Sequence, residues 1–491
     1  MKVYESDILI IGGGASGLTA ANTAAEMGAD VILLEKMSTT GGCANMSAGP
    51  FAVESILQKK HMMALTVEDA VQKYMNYCHW RADERLVRKF IGKTGDTISW
   101  LMDMGVKFME PMAYFPGAEP TWHFILSKEG KIGWRTGAGM VSILTERATE
   151  LGVQIFLDSP VLKLLKEDGK VIGALAEDED GEQFEVHAPA TLICTGGYGA
   201  NDDMIKEYTG WEVGKNIFPY QIPGLDGDGI KMAWEAGAER STAMSMEMIY
   251  FTQETGGYAK EEVPFRQCGL VVNTDAERFM DESQMGNPIF TVNAMRRQRD
   301  QMFWSIIDED YLMHVKEHGP DFYMINSIVM DFSKIYEYLD VWLQKMPHIV
   351  VCADTVEELA EKMGVCPEAL AKTVEQYNGY CETRDEMFNK DHRYMRPIKS
   401  PKLYAMKFRL CAYGSLGGIR INHEFKAMDK DLKPIPGLFA AGTDSNDICN
   451  PDYAFILPGN TLSYALNSGR LAAESAVEYV QALYDAEDEE E

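Results

Sequence analysis

Residues 7–35 read DILIIGGGASGLTAANTAAEMGADVILLE. Asp7-Ile8-Leu9-Ile10-Ile11 carries a continuous apolar run, the pattern of a strand buried on both faces. Gly12-Gly13-Gly14-Ala15-Ser16-Gly17 follows and opens an alanine-rich helix to about Gly28. A second apolar run, Val31-Ile32-Leu33-Leu34, ends on Glu35. Strand, glycine turn, helix, strand and acid in this order predict a dinucleotide-binding βαβ unit. Gly12 makes the tight turn, Gly14 lets backbone approach a pyrophosphate, and Gly17 lets helix and strand pack closely. The helix N-terminus presents N–H groups and a positive dipole end to phosphate. Glu35, 18 residues after Gly17, is placed to accept hydrogen bonds from ribose hydroxyls.

The rest of the chain must hold more than this unit. At 491 residues it predicts two domains, one of them interrupted by the other. Its 46% hydrophobic and 25% charged residues are those of a soluble globular protein. No apolar run approaches the ~18–20 residues of a membrane helix. The N-terminus enters a strand without a secretory signal, so the cytoplasm is the expected compartment. A formal charge of −29 would repel a phosphate backbone, which argues against nucleic-acid binding. The nine cysteines are scattered and none forms CxxC or CxxCH. This disfavours iron–sulfur, zinc and covalent haem sites, and excludes a disulfide reductase.

Farther along, amphipathic helices are predicted over about 66–79 and 83–104, with Thr66 and Asp83 as N-caps and Gly105 closing the second. Residues 153–195 read as a β-meander turning at Asp168-Gly169 and Asp180-Gly181, then entering Thr195-Gly196-Gly197. From about 245 to 412 the texture becomes richer in Met and Tyr, with long helices over 351–365 and 367–384. Strand and glycine return in Gly437-Leu438-Phe439-Ala440-Ala441-Gly442 and in Leu457-Pro458-Gly459-Asn460, which opens a helix through Ala473. The acidic end, 485–491, is expected to be disordered.

These motifs, with Gly227-Asp228-Gly229 and Arg278-Phe279 followed by Glu282, resemble the fumarate reductase/succinate dehydrogenase flavoprotein family over nearly the whole chain. That family includes soluble fumarate reductases, urocanate reductase and 3-ketosteroid Δ1-dehydrogenase. The resemblance implies an α/β architecture: a Rossmann-type FAD-binding domain (1–244 and 413–484) interrupted by an α+β capping domain (245–412), with substrate between them. It assigns Gly12, Gly14, Ser16, Gly17, Glu35 and Lys36 to the pyrophosphate and adenosine. Gly41, Gly42, Ser47, Ala48 and Gly49 would line the isoalloxazine. Val161, Thr195, Gly196, Gly442, Asn460 and Leu462 would complete the FAD site, with Leu462 at a helix N-terminus that stabilises charge on reduced flavin. Covalent members attach FAD through a histidine just after the double glycine. GGCANMSAGP has none, so non-covalent FAD is expected. No haem or iron–sulfur motif accompanies it in this sequence, so an external electron donor or acceptor is expected.

Fumarate reductases of the family clamp a dicarboxylate with two histidines and two arginines, one of which delivers the proton. By the same resemblance those positions are here near Ile249-Tyr250, at Tyr413, at Ile456 and at Gly286. Without the clamp, two buried carboxylates would go uncompensated. The implied pocket groups are instead Tyr250, Tyr413, Tyr114, Tyr453 and Phe455, with Arg266 near a proton-relay position. Gly459 matches the glycine whose N–H polarises a ketone in ketosteroid enzymes. Tyr413 or Tyr250 is the expected proton donor, and Gly286 would make room for a larger substrate. Arg266 with Glu262 reads equally as an exposed ion pair, Asp228 as a turn former, and His123 as a structural or pocket histidine. The expected reaction is hydride transfer between flavin N5 and a C=C bond conjugated to a carbonyl. Its substrate is neutral or mono-anionic, such as a 3-ketosteroid or an aryl-propenoate. The alternative, favoured by Gly286, is a flavin electron carrier without an organic substrate. An aspartate-oxidase-like reading is weakened by the missing arginines.

Overall fold

The two apolar runs become the middle of a parallel sheet. In the computed structural model, which describes residues 1–133, 135–252, 260–321, 324, 327–328, 330–449 and 453–490, the strand Ile8–Ile11 is fully buried. It pairs in parallel with Val31–Leu34 on one side and Ala190–Ile193 on the other. The six-stranded sheet runs Lys426–Met428, Pro434–Ala440, Ala190–Ile193, Ile8–Ile11, Val31–Leu34, Gln154–Phe156. Only its first pair is antiparallel. Helix Ala15–Glu26 leaves the glycine turn and is crossed by the C-terminal helix Asn460–Glu490. The two helices approach closely because Gly469 has no side chain: a Cβ there would lie 2.2 Å from the Ser16 carbonyl oxygen.

A second sheet is built around one long strand, Leu403–Gly418. Ser245–Phe251, Met302–Asp308 and Val350–Ala353 pair with it antiparallel, and Leu270–Val272 extends the sheet beyond Met302–Asp308. The chain is thus a mixed α/β fold. The boundary expected at 412/413 falls inside this continuous strand, whose far end leads back to the parallel sheet.

The helix caps follow the sequence closely. Thr66 caps Val67–Tyr77 and Asp83 caps Glu84–Asp103. Elsewhere tertiary pairing redraws local expectation. The 153–195 segment is not one meander: Gln154–Phe156 and Ala190–Ile193 join the parallel sheet, and only the three strands between them form the antiparallel unit. The 351–365 segment begins as the strand Val350–Ala353 before helix Val356–Met363. The acidic end is helical through Glu490, because a stem already packed on the core spares it the cost of nucleation. Among the described residues no helix is long and apolar enough to cross a membrane.

Candidate active site

One cavity of about 480 Å³ runs from the glycine turn, past the carboxyl ends of the central parallel strands, to the end of the long strand of the second sheet. At its first end, Gly12 takes φ +106°, and its N–H donates to the Leu34 carbonyl at 2.8 Å. Gly14 is the N-cap of helix Ala15–Glu26, and no side chain caps that terminus. A Cβ on Gly14 would have no atom nearer than 4.0 Å, so the backbone there is bare toward the cavity. The Glu35 carboxylate closes this end, accepting from Gly13 N–H at 2.7 Å and Met37 N–H at 2.8 Å. Lys36 also lines it, paired with Asp226 at 2.8 Å and Asp228 at 2.6 Å. Asp228 is therefore an ion-pair partner in the first turn of helix Asp228–Glu235 rather than a simple turn former.

The middle of the cavity is backbone and small side chains. Gly41, Gly42, Ser47, Ala48 and Gly49 line one wall, with Val161, Thr195, Gly196 and Leu462 around them. Gly49 is pressed against the His123 carbonyl, where a Cβ would lie 2.0 Å from the oxygen. The Thr195-Gly196-Gly197 turn is held by a buried acid, Asp444, which accepts from Thr195 Oγ1 at 3.0 Å, Gly196 N–H at 3.0 Å and Gly197 N–H at 2.9 Å. Burial pushes Asp444 up to about 6 despite those donors.

The far end is aromatic. In the pairing of Ser245–Phe251 with Leu403–Gly418, Met246 faces Ser415 and Met248 faces Ala412. Two residues, Tyr413 and Gly414, therefore oppose the single Glu247, which is a β-bulge. Bulges re-aim side chains, and all three of these residues line the cavity. The Tyr413 ring stacks on Tyr220 at 5.5 Å and meets Phe251 edge-on at 5.9 Å. Across from them Tyr114 stacks on Trp122 at 5.6 Å, and Phe455 packs between Tyr114 and Tyr453. Gly459, at φ +93°, lies beside this wall just before helix Asn460–Glu490. The helix begins with a polar cluster: Thr461 N–H donates to the Tyr453 hydroxyl at 3.3 Å, and Thr461 Oγ1 donates to the Glu247 carboxylate at 2.5 Å.

Glu247 is 5% exposed. Burial raises it to about 7, and only the Thr461 hydrogen bond opposes the shift. The folded state then keeps a proton that the unfolded chain gives up near pH 4.5, so folding binds a proton between about pH 4.5 and 7. The contribution of this group to stability falls as pH rises through that window, by about 3 kcal/mol at most. Glu247→Gln is expected to lack that fall, as read by denaturant unfolding of wild type and variant at pH 5 and pH 8.

Three of the residues expected at the substrate end do not line this cavity. Tyr250 is fully buried among Phe303 and Phe408, and its hydroxyl donates to the Met285 carbonyl at 2.9 Å. Strand alternation turns it away from the wall. Gly286 lies in the short helical turn Glu282–Gly286 next to that carbonyl and does not line the cavity. Arg266 is fully buried, ion-paired to Glu262 at 2.7 Å, with its guanidinium 4.4 Å from the centre of the Tyr250 ring. The pair is neither exposed nor at the wall. Arg266→Ala is expected to cost about 3–5 kcal/mol in denaturant unfolding, since it strands a buried carboxylate. Gly17, Gly442 and Asn460 support the wall from behind: a Cβ on Gly442 would lie 2.5 Å from Ser16 Oγ, and Asn460 Nδ2 donates to the Ala454 carbonyl at 3.0 Å. His123 is structural, with Nε2 2.7 Å from Ser55 Oγ and Nδ1 2.9 Å from the Thr121 carbonyl.

Sequence reasoning missed Glu247, Asp444, Arg135, Trp122 and Tyr220. Glu247 had one visible signal, a lone acid inside the apolar strand SMEMIYF. Arg135 shows itself only in three dimensions, as a cavity-lining arginine at φ +73°.

An uncapped helix N-terminus, bare glycine backbone, a fixed carboxylate at the second strand and a long narrow cavity fit a dinucleotide cofactor with a flat ring system. The family model of the FAD binding domain matches residues 7–462. The chain belongs to this FAD-binding family and is an FAD-dependent oxidoreductase. It is 30% identical over 493 residues to a vinyl phenol reductase of Lactiplantibacillus plantarum, with 96% of each chain covered. It is 28% identical to a urocanate reductase of Eggerthella lenta, covering 89% of this chain and 69% of that one. Among solved structures, a flavocytochrome fumarate reductase in its open conformation superposes with a TM-score of 0.73 at 26% identity, covering 97% of this chain and 79% of that one. A 3-ketosteroid Δ4-(5α)-dehydrogenase from Rhodococcus jostii superposes with a TM-score of 0.76 at 25% identity, covering 96% and 97%. These relatives are reductases and dehydrogenases.

Proposed function

We propose that this enzyme adds hydrogen across a C=C bond conjugated to a carbonyl or to a hydroxyaryl ring, on a flat substrate that is neutral or singly charged. The observation that carries this reading is the composition of the far end of the cavity. Its wall is Tyr114, Trp122, Tyr413, Tyr453 and Phe455, and it holds a carboxyl group, Glu247. A dicarboxylate would need at least two compensating cations there. Among the described residues Arg135 and Lys36 are the cations on the cavity wall, and Lys36 is engaged by two aspartates. The likeness to a vinyl phenol reductase supports an aromatic substrate.

We assign residues 1–244 and 413–484 to the FAD-binding domain and 245–412 to a cap over the substrate end. Gly12, Gly14, Ser16, Glu35 and Lys36 would hold the pyrophosphate and adenosine, and Gly41 to Gly49 the ring system, without a covalent bond. Bound FAD supplies or takes the hydride. Tyr413 is the proton donor of this reading: the bulge aims it into the cavity and its stacked ring is held in place. Gly459 would turn its backbone N–H toward a substrate carbonyl. The electron-carrier alternative rested on Gly286, which is off the cavity wall, and is left without its observation.

The test is anaerobic. The purified flavoprotein is photoreduced and mixed with fumarate, urocanate, cinnamates, 4-vinylphenol, 3-ketosteroids and simple enones. Rapid reoxidation by one aromatic or enone class, and none by fumarate, is expected. Reoxidation by fumarate alone would overturn the reading.

A further inference from the structure

Glu247 is an anomaly in the reading just given. A carboxyl group has been buried in an aromatic pocket, at a bulge, with no arginine or lysine among the described residues to compensate it. Its one hydrogen-bond partner among the described residues is the Thr461 hydroxyl, and the Thr461 backbone N–H donates to the Tyr453 hydroxyl, so the three residues form a single hydrogen-bonded cluster on the cavity wall. The groups that feel its charge are Tyr453, Cys43 and Cys449, and each is held further toward its neutral form by it. A buried acid of this kind is costly unless something uses it. It disfavours an anionic carboxylate beside it and favours a neutral O–H donor.

We propose that Glu247, held by Thr461 beside Tyr453, receives and ionises the phenolic hydroxyl of the substrate, so that the enzyme selects alkenes conjugated to a para-hydroxyaryl ring over those whose ring lacks that hydroxyl or carries a carboxylate in its place. This rests on the C=C reduction proposed above and names its substrate class. The step balances. The Glu247 carboxylate takes the phenol proton, and the phenolate electron pair pushes through the ring onto the terminal alkene carbon. That carbon forms a C–H bond with the proton of Tyr413, which regains one from solvent. The benzylic carbon, now the electron-poor end of a quinone methide, accepts the hydride that bound reduced flavin supplies. The ring oxygen takes its proton back from Glu247. One hydride and one proton are added, the flavin is oxidised by two electrons, and an external donor restores it. Glu247 near neutrality is suited to both halves of the exchange.

The experiment uses the FAD-loaded enzyme and four probes: 4-vinylphenol, 4-methoxystyrene, 4-vinylbenzoate and a simple enone. Wild type is expected to reoxidise with 4-vinylphenol at least about 10-fold faster, per concentration, than with the methyl ether or the vinylbenzoate. Glu247→Gln should narrow both ratios by about 10-fold or more, with the flavin potential unchanged. Thr461→Val, which keeps the carboxyl group but frees it, should narrow them in part. Binding of non-reacting 4-ethylphenol and 4-ethylanisole, followed by calorimetry, gives a second reading without turnover. Wild type should prefer the phenol by about 10-fold, and Glu247→Gln should not. An equal loss for all four alkenes, with a shifted flavin potential, would place Glu247 on the flavin and overturn the proposal. If wild type reduces no alkene at all, the reaction class fails. The phenol site is then judged by calorimetry alone, where equal affinity for phenol and ether overturns it.

Discussion

Tyr413→Phe is expected to lower turnover by about 10²–10⁴-fold, the usual worth of a positioned general acid, while FAD stays bound. The argument is geometric. The bulge opposite Glu247 places Tyr413 on the cavity wall, and the ring is pinned by Tyr220 and Phe251. Phenylalanine keeps the ring and those contacts and removes only the O–H. Melting temperature and flavin content of the variant beside wild type show whether the loss is chemical. Stopped-flow reoxidation of the photoreduced variant, beside its flavin absorbance, separates the two. Unchanged reoxidation with full flavin content would remove Tyr413 from the mechanism. Tyr250→Phe is the contrast: its hydroxyl bonds to the Met285 carbonyl away from the cavity, so it should cost stability of about 1 kcal/mol and little turnover.

The second large effect separates two glycines of one motif. A Cβ on Gly17 would lie 1.8 Å from the Gly12 carbonyl oxygen, an impossible contact with backbone. Gly17→Ala must push helix Ala15–Glu26 off the turn, and the C-terminal helix that packs on it moves as well. A loss above about 4 kcal/mol is expected, enough to deplete soluble flavoprotein. A Cβ on Gly14 meets only the Gly41 carbonyl oxygen, at 4.0 Å, and Gly14 lines the cavity. Gly14→Ala should leave the apoprotein within about 1 kcal/mol of wild type and weaken FAD at least about 10-fold, because the added methyl occupies the approach. Thermal melts of the apoproteins and a flavin titration read the two effects. Similar stability for both variants would mean that the helix does not seat on Gly12 as described.

Much of this protein was legible before any coordinates. The alternation of buried strand, glycine turn and acid over residues 7–35 is local chemistry, and local chemistry survives folding. So are the caps at Thr66 and Asp83, since a cap depends on the residue and the three that follow it. The glycines of the cavity wall were readable for the same reason: each answers a backbone constraint within a few residues or at one packed neighbour.

The substrate end was not legible in the same way. Which of Tyr250 and Tyr413 faces the cavity depends on a bulge between strands more than 150 positions apart in the chain, and a shift of one residue turns a strand side chain to the other face. Gly286 and Arg266 stand at suggestive places in the sequence, yet packing puts both outside the cavity. Glu247 and Asp444 were passed over because an acid within an apolar strand, or beside a glycine turn, has no meaning until its partners are known. Those partners, Thr461 and the Thr195-Gly196-Gly197 turn, come from remote segments. The sequence by itself determined the cofactor class and the parallel core, because short-range backbone requirements encode them. Only the tertiary structure decided which side chains meet the substrate, because that depends on strand register and on long-range burial of charge.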